Sequence, residues 1–116
     1  NRLDEIPNVF SAMNPYVDIL DLVEDMYNDD RYDVYILSSP SSSNPSSWTD
    51  KFNWVQKYLP MMKRRLILSH NKNLNIGDYL IDDRTQNGAG DFKGEHIHYG
   101  TKAYPDVASL RKKFDI

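Results

Sequence analysis

The chain has 116 residues, a formal net charge of -3 and no cysteine, and 40% of its residues are hydrophobic. This length fits one modest domain, and the lack of cysteine excludes disulfides, thiol catalysis and cysteine-ligated metal centres. No apolar run approaches the roughly 20 residues of a membrane span. The sequence contains no dense basic stripe of the kind that would indicate a nucleic-acid partner. With no signal-peptide pattern at its start, the sequence leads us to expect a cytoplasmic protein with neither a membrane nor a nucleic-acid partner.

Helical and strand patterns alternate along the first part of the chain. Residues 1–14 are polar and irregular, and we expect them to form a linker. A first helix is predicted after Pro15, because Val17 and Leu20 belong to a series of apolar residues at helical spacing. Val34–Leu37 is a short, continuous apolar run, which is typical of a strand buried on both faces.

The same alternation continues to the end of the chain. A second helix is predicted from the spacing of its apolar residues, which are Trp48, Phe52, Val55 and Leu59, with Trp54 and Tyr58 broadening the face. Further strands are predicted at residues 65–69, 78–81 and 96–99, and a terminal helix after Pro105. Strands that alternate with helices through short connections predict an α/β fold with a mostly parallel sheet.

Two adjacent acids, Asp82 and Asp83, end the apolar run Tyr79–Ile81. In open α/β sheets, ligands bind at the carboxyl ends of the strands. Two neighbouring carboxylates repel each other, so a cation is expected beside them, and hard carboxylate oxygens are the ligands that Mg²⁺ prefers. The alternative is a turn in which an aspartate caps the following backbone and Arg84 pairs with a neighbour.

Hydroxyl and lysine side chains accompany two other predicted strand ends. Ser38 and Ser39 close the first strand, where hydroxyls and backbone N–H groups can hold phosphate oxygens. Such serine pairs also begin turns, which is the alternative. Lys72 precedes the third strand and would neutralise a phosphate or the charge that develops in phosphoryl transfer, unless it is simply solvated. Together with the acids, these residues predict a site for a phosphate and a divalent metal.

Two further patterns give weaker indications. His96 and His98 would lie on one face of a strand, a spacing that can chelate zinc. Because no third ligand is obvious, packing or surface roles are favoured for them. The segment Asn87–Gly90 lacks the rest of a dinucleotide-binding or phosphate-loop fingerprint, and it is predicted to be a loop.

In their order and spacing, these elements resemble the haloacid dehalogenase-like (HAD) phosphatases, and within them the 5'(3')-deoxyribonucleotidases. The resemblance is carried by the segments YDVYILSSP (32–40), NPSSWTDKFNWVQKYL (44–59), RLILSHNK (65–72), GDYLIDDRTQNGAGDF (77–92) and GEHIHYG (94–100). It implies a HAD-type core over residues 15–116, with a Rossmann-like, mostly parallel sheet flanked by helices. It also implies hydrolysis of a nucleoside monophosphate to nucleoside and phosphate, with Mg²⁺ and through an aspartyl-phosphate.

The resemblance assigns a role to each residue of the expected site. Ser38 would bind the phosphate, with Ser39 beside it. Lys72 would act in catalysis by contacting both the phosphate and the nucleophile. Asp83 would be the direct Mg²⁺ ligand and Asp82 the supporting one.

One part of the family pattern is missing from this chain. The family begins with a strand that ends in Asp-x-Asp, whose first aspartate attacks phosphorus, and no such motif occurs here. Asp4 lies in a polar segment, and three other acids belong to the acidic first helix, namely Asp18, Asp21 and Asp25. The family's small helical cap is also missing, unless residues 1–14 are its remnant. We therefore expect the chain to be the C-terminal part of such an enzyme and inactive by itself.

The lost strand would lie at the centre of the sheet, between the strands that end at Ser38 and Asp82. Its removal would expose two strand edges, which is a hazard for association. We expect the isolated chain to close the gap, to exchange strands in a homo-oligomer, or to pair with a separate N-terminal fragment. The alternative functions are a non-catalytic module that binds phosphate or Mg²⁺ and a structural interaction protein with an unused acid pair.

Overall fold

A computed structural model describes residues 16–116, so the expected linker at residues 1–14 lies outside the described part. The helices and strands are α1 (Tyr16–Tyr27), β1 (Ile36–Ser38), α2 (Ser46–Tyr58), β2 (Leu66–Leu68), β3 (Tyr79–Asp82), β4 (Glu95–His98) and α3 (Val107–Phe114). Single 3₁₀ turns occupy Pro60–Met62, Lys72–Leu74 and Ala89–Asp91. This alternation of helices and strands is that of a mixed α/β protein. No helix between residues 16 and 116 is long and apolar enough to cross a membrane.

The strands form two parallel pairs. β1 pairs with β2, so that Ser38 lies opposite Leu68, and β3 pairs with β4, so that Asp82 lies opposite His98. Within residues 16–116 the two pairs are separate two-stranded sheets. The α/β class is therefore observed, whereas one continuous Rossmann-like sheet stays a prediction.

The helix α1 packs against both sheets. One hydrophobic cluster lies around β1 and consists of Ile36, Trp54, Val55, Leu59 and Met62. A second lies around β4 and consists of Leu22, Met26, Ile97, Val107, Leu110 and Phe114. Leu22 and Met26 of α1 belong to the second cluster, whereas Leu20, Val23 and Tyr27 of the same helix pack against the first. The two strand pairs are thus held together through one amphipathic helix.

The helix α2 presents a different face to the core from the predicted one. Its buried residues are Lys51, Trp54 and Val55, whereas Trp48 is 37% exposed and Phe52 is 41% exposed. The positions 51, 54, 55 and 58 also follow helical spacing, but a pattern of apolar residues alone omits a buried lysine. The prediction was therefore right about Trp54 and Val55 and wrong about Trp48 and Phe52.

The terminal helix α3 has the expected boundaries because its ends are well capped. Asp106 and Ser109 form a capping box, in which the Asp106 carboxylate accepts a hydrogen bond from the backbone N–H of Ser109. The last turn carries Arg111, Lys112 and Lys113, whose positive charges interact favourably with the negative end of the helix dipole. The Tyr32 hydroxyl donates to the carbonyl of Phe114, which fastens the helix end to the segment before β1.

Truncation of Leu22 tests whether α1 is an essential part of the second hydrophobic cluster. Leu22 is 2% exposed. We expect Leu22→Ala to lower the free energy of unfolding by about 2–5 kcal/mol, because it removes buried methyl groups and leaves a cavity. Urea denaturation measures the effect. Glu24→Ala, at an exposed position of the same helix, is the matched control, and equal losses in the two variants would contradict this account.

Candidate functional site

Lys72 and Asp82 form a buried ion pair at the carboxyl ends of the strands. Asp82 is the last residue of β3, and Lys72 lies in the 3₁₀ turn between β2 and β3. The Lys72 Nζ donates to the Asp82 Oδ2 at 2.5 Å, and the two side chains are 3% and 6% exposed. Lys72 is therefore not the solvated lysine of the alternative interpretation.

Asp82 also caps the backbone that follows it. Its Oδ1 accepts a hydrogen bond from the N–H of Arg84 at 3.0 Å. The turn considered as an alternative to a metal site is therefore present, and it coexists with the ion pair. Both Asp82 oxygens thus have protein partners, and Asp83, which follows it directly, is half-buried.

The turn that carries Lys72 is held against the loop at residues 87–90. The Lys72 N–H donates to the carbonyl of Asn87 at 2.7 Å. Gly88 adopts a φ of +83°, and a Cβ there would lie 2.1 Å from the Asn73 Oδ1, so only glycine allows this close approach. The predicted loop at Asn87–Gly90 is confirmed as a turn region, and it positions Lys72.

Ser38 and Ser39 lie at the tip of β1, as the sequence predicts, but in different surroundings. Ser38 is completely buried. The Ser39 hydroxyl donates to the carbonyl of Ser69 at 2.6 Å, while the Ser69 N–H donates to the carbonyl of Ser38 at 2.9 Å. Ser39 therefore fastens the tips of β1 and β2 together, and Ser38 lines a small internal cavity.

Lys51 is a candidate site residue that the sequence analysis missed. It lies on α2, is 5% exposed, and lines a small cavity of about 10 Å³ together with Ser38, Trp54, Val55 and Leu66. Burial, together with the neighbouring positive charges of Lys72 and Arg84, lowers the pKa of Lys51 to about 8. The only signal in the sequence is its spacing. Lys51 follows Trp48 by three residues and precedes Val55 by four, and residues at these spacings lie on one side of a helix.

His96 and His98 lie on one face of β4, as predicted, and their rings are stacked with centroids 5.3 Å apart. The His96 Nε2 lies 3.3 Å from the carbonyl oxygen of Asp82, and the His98 Nε2 lies 3.2 Å from that of Asp83. Both rings therefore contact the backbone of the acid pair rather than packing against apolar residues alone.

The donor chemistry of the site fits Mg²⁺ better than zinc. Among residues 16–116 no group of three or more His, Cys, Asp or Glu side chains is arranged to hold a metal. Zinc sites need three or four such protein ligands. Mg²⁺ instead keeps several waters and takes one or two carboxylates together with substrate phosphates, which Asp83 and Asp82 can supply.

An open cleft lies away from these residues. It has a volume of about 290 Å³ and is lined by Tyr27, Asn28, Asp30, Tyr32, Asp33, Val34 and Arg65. Its arginine is already engaged, since Arg65 pairs with Asp33 and lies over the ring of Tyr27. The cleft therefore offers no free cation for a phosphate.

Buried hydroxyl, lysine and carboxylate groups at the ends of parallel strands define an α/β protein with a candidate ligand site at the carboxyl edge. A sequence model of the family described as "5' nucleotidase, deoxy (Pyrimidine), cytosolic type C protein" matches residues 3–109. The chain belongs to this 5'-nucleotidase family.

Individual relatives agree with this placement. A protein of Vibrio phage KVP40 named "Putative 5'(3')-deoxyribonucleotidase" is 51% identical over 94% of this chain and 64% of its own length. The human cytosolic 5'(3')-deoxyribonucleotidase is 33% identical over 69% of this chain and 40% of its own length. The human mitochondrial one is 31% identical over 69% and 36%. The chain thus spans less than two thirds of the length of these relatives.

Removal of one partner tests the buried ion pair. Lys72→Met leaves the Asp82 carboxylate buried without a counter-charge, so we expect the free energy of unfolding to fall by about 3–5 kcal/mol. The double variant Lys72→Met/Asp82→Leu should recover most of this loss, because it removes both charges. Urea denaturation measures both. A loss no larger than that of Lys63→Met, at an exposed position, would contradict the pairing.

The lowered pKa of Lys51 predicts a pH dependence of stability. The folded chain loses the Lys51 proton near pH 8, whereas an unfolded lysine keeps it up to about 10.5. The unfolded state therefore binds more protons in this interval, and the stability contributed by this group rises with pH between them. We expect wild type to gain stability relative to Lys51→Met over this range in urea denaturation. Parallel pH profiles of the two proteins would show that the Lys51 pKa is not lowered.

Proposed function

We propose that this chain forms the phosphate- and metal-binding part of a 5'(3')-deoxyribonucleotidase-type phosphatase. The substrate class is a deoxynucleoside monophosphate, and the products are nucleoside and phosphate. Family membership and the names of the relatives support this proposal. The observation that carries it is the buried Lys72–Asp82 pair at the strand ends, directly before Asp83. A cytoplasmic location is inferred as well, in agreement with the human relative of cytosolic type.

Each residue at the carboxyl edge would have a separate role in binding the metal or the phosphate. Asp83 would bind Mg²⁺ directly, and Asp82 would support it from its contact with Lys72. When bound, Mg²⁺ would neutralise charge on the transferred phosphoryl group. Ser38 would donate its hydroxyl proton to a phosphate oxygen, with the backbone at Ser39 beside it. Lys72 would hold the phosphate and the attacking carboxylate through its positive charge.

Lys51 adds a second lysine to this proposed site. Its lowered pKa has burial as the first cause and the neighbouring positive charges as the second. An incoming phosphate would offset those charges and favour the protonated form of Lys51. This coupling between anion binding and protonation supports a phosphate rather than a neutral ligand.

The attacking carboxylate is not found among the described residues. The acids of α1 lie on a helix, and one of them, Asp25, pairs with Arg111 at 2.9 Å. We therefore infer that the chain is inactive alone and that an Asp-x-Asp strand inserted between β1 and β3 would complete the enzyme. A separate N-terminal fragment would supply this strand, whereas strand exchange between copies of this chain would fill the gap without an Asp-x-Asp motif.

One observation favours a non-catalytic alternative. Both carboxylate oxygens of Asp82 have protein partners without a metal, namely the Nζ of Lys72 and the N–H of Arg84. A structural or phosphate-binding module would need no metal to satisfy this carboxylate. In that case the acid pair would serve the fold, and Asp83→Asn would alter neither ligand binding nor assembly.

Phosphate release from a deoxynucleoside monophosphate with Mg²⁺ tests the proposed function. We expect no turnover from the chain alone, because an absent nucleophile typically costs several orders of magnitude in rate. A chimera that adds the part of the phage relative outside the aligned region should release phosphate. The same chimera with Asp83→Asn should lose most of this activity.

Each other outcome would change the proposal. Turnover by the chain alone that disappears in Asp83→Asn would place the nucleophile within these 116 residues. A folded chimera without turnover would favour the non-catalytic alternative. Light scattering on the chain alone then separates strand exchange, which gives oligomers, from a gap that closes within one copy.

A further inference from the structure

We propose that His96 and His98 are positioning residues, which fix the backbone on both sides of Asp83 and so set the direction of its carboxylate. The importance of that direction for a metal rests on the proposed function. The fixing of the backbone itself does not.

The register of β3 and β4 places both histidines beside the acid pair. His96 lies opposite Leu80, and His98 lies opposite Asp82. Side chains of residues two apart in a strand share a face, and the two rings stack at an interplanar angle of 22°. From this position each ring reaches a carbonyl beyond its own partner in the ladder, at 3.3 Å for His96 and 3.2 Å for His98.

These contacts determine which nitrogen carries the proton. A backbone carbonyl only accepts hydrogen bonds, so the Nε2 of each ring must be the protonated nitrogen and the donor. Asp82 also receives the backbone N–H of Tyr99 at 3.0 Å on the same carbonyl oxygen. The carbonyl of Asp82 therefore has two donors, His96 of β4 and Tyr99 directly after β4, and the carbonyl of Asp83 has one from His98.

Two held carbonyls fix the residue between them. The carbonyl of Asp82 belongs to the peptide plane before the Asp83 Cα, and the carbonyl of Asp83 belongs to the plane after it. Because peptide groups are planar, holding both carbonyls restricts both backbone dihedrals of Asp83. The direction of its Cβ follows, and with it the range of positions that the carboxylate can take. An apolar residue in β4 would pack without supplying this constraint.

Paired substitutions of His98 distinguish this role from simple packing. His98→Gln keeps an N–H donor near the position of Nε2, whereas His98→Leu keeps bulk and removes the donor. Amide hydrogen exchange at Arg84, whose N–H is held by Asp82, reports on the backbone without any metal. We expect exchange to quicken about fivefold in the leucine variant, as for the loss of one hydrogen bond, and to stay near wild type in the glutamine variant.

Titration with Mn²⁺ alone then tests the metal-directed part, with Asp83→Asn as control. We expect the leucine variant to bind Mn²⁺ roughly tenfold more weakly than wild type, and the glutamine variant to bind like wild type. Wild-type exchange at Arg84 in His98→Leu, or equal losses in both variants, would overturn the inference. If wild type and Asp83→Asn bind Mn²⁺ equally, the proposed metal site fails, and the exchange data alone decide the role of the histidines.

Discussion

The buried ion pair between Lys72 and Asp82 is the constraint on which the carboxyl edge depends. Taking two charges out of water is unfavourable unless their remaining hydrogen-bonding groups are satisfied. Here the second oxygen of Asp82 accepts from the Arg84 N–H, and the turn of Lys72 is held by Asn87. The connection before β3 and the connection after it therefore meet at one carboxylate. Movement of either connection would leave a buried charge without its partner.

The electrostatics around this pair favour an anion. Lys51 and Arg84 lie close enough for their charges to interact, and Lys72 adds a third positive group. Asp82 compensates Lys72 through direct contact, whereas the pKa of Lys51 is lowered first by its burial and then by the charges of Lys72 and Arg84. A phosphate in this position would be stabilised by both lysines.

Much of this arrangement could be predicted from the sequence, because its signals are local. A short apolar run that ends in polar residues identifies a buried strand and its tip, which placed Ser38 and Asp82 correctly. The inward face of α2 could not be predicted in the same way. Apolar spacing selected Trp48 and Phe52, while the fold buries Lys51 instead. A lysine is buried only where a tertiary site compensates it, and no local pattern reports on such a site.

The histidines and Ser39 also show that local sequence patterns do not predict tertiary contacts. Their positions in the sequence were identified, but their partners lie on other strands. The Ser39 hydroxyl donates to the carbonyl of Ser69, and the His98 ring contacts the carbonyl of Asp83. These partners are 30 and 15 residues apart in the sequence. Roles that depend on contacts of this range follow from the register between strands. The register in turn follows from packing, which residue spacing within one segment does not contain.

The separation of the two strand pairs specifies what a completing segment must provide. β1 carries Ser38 at its tip and β3 carries Asp82, and α1 packs against the hydrophobic clusters of both pairs. A strand inserted parallel to both would bring its own carboxyl end between the hydroxyl on one side and the ion pair on the other. An acid there would meet Lys51 and Lys72, whose positive charges offset its repulsion from Asp82 and Asp83. The described residues thus bring two buried lysines, Lys51 and Lys72, to the edge of the sheet where Asp82 and Asp83 lie.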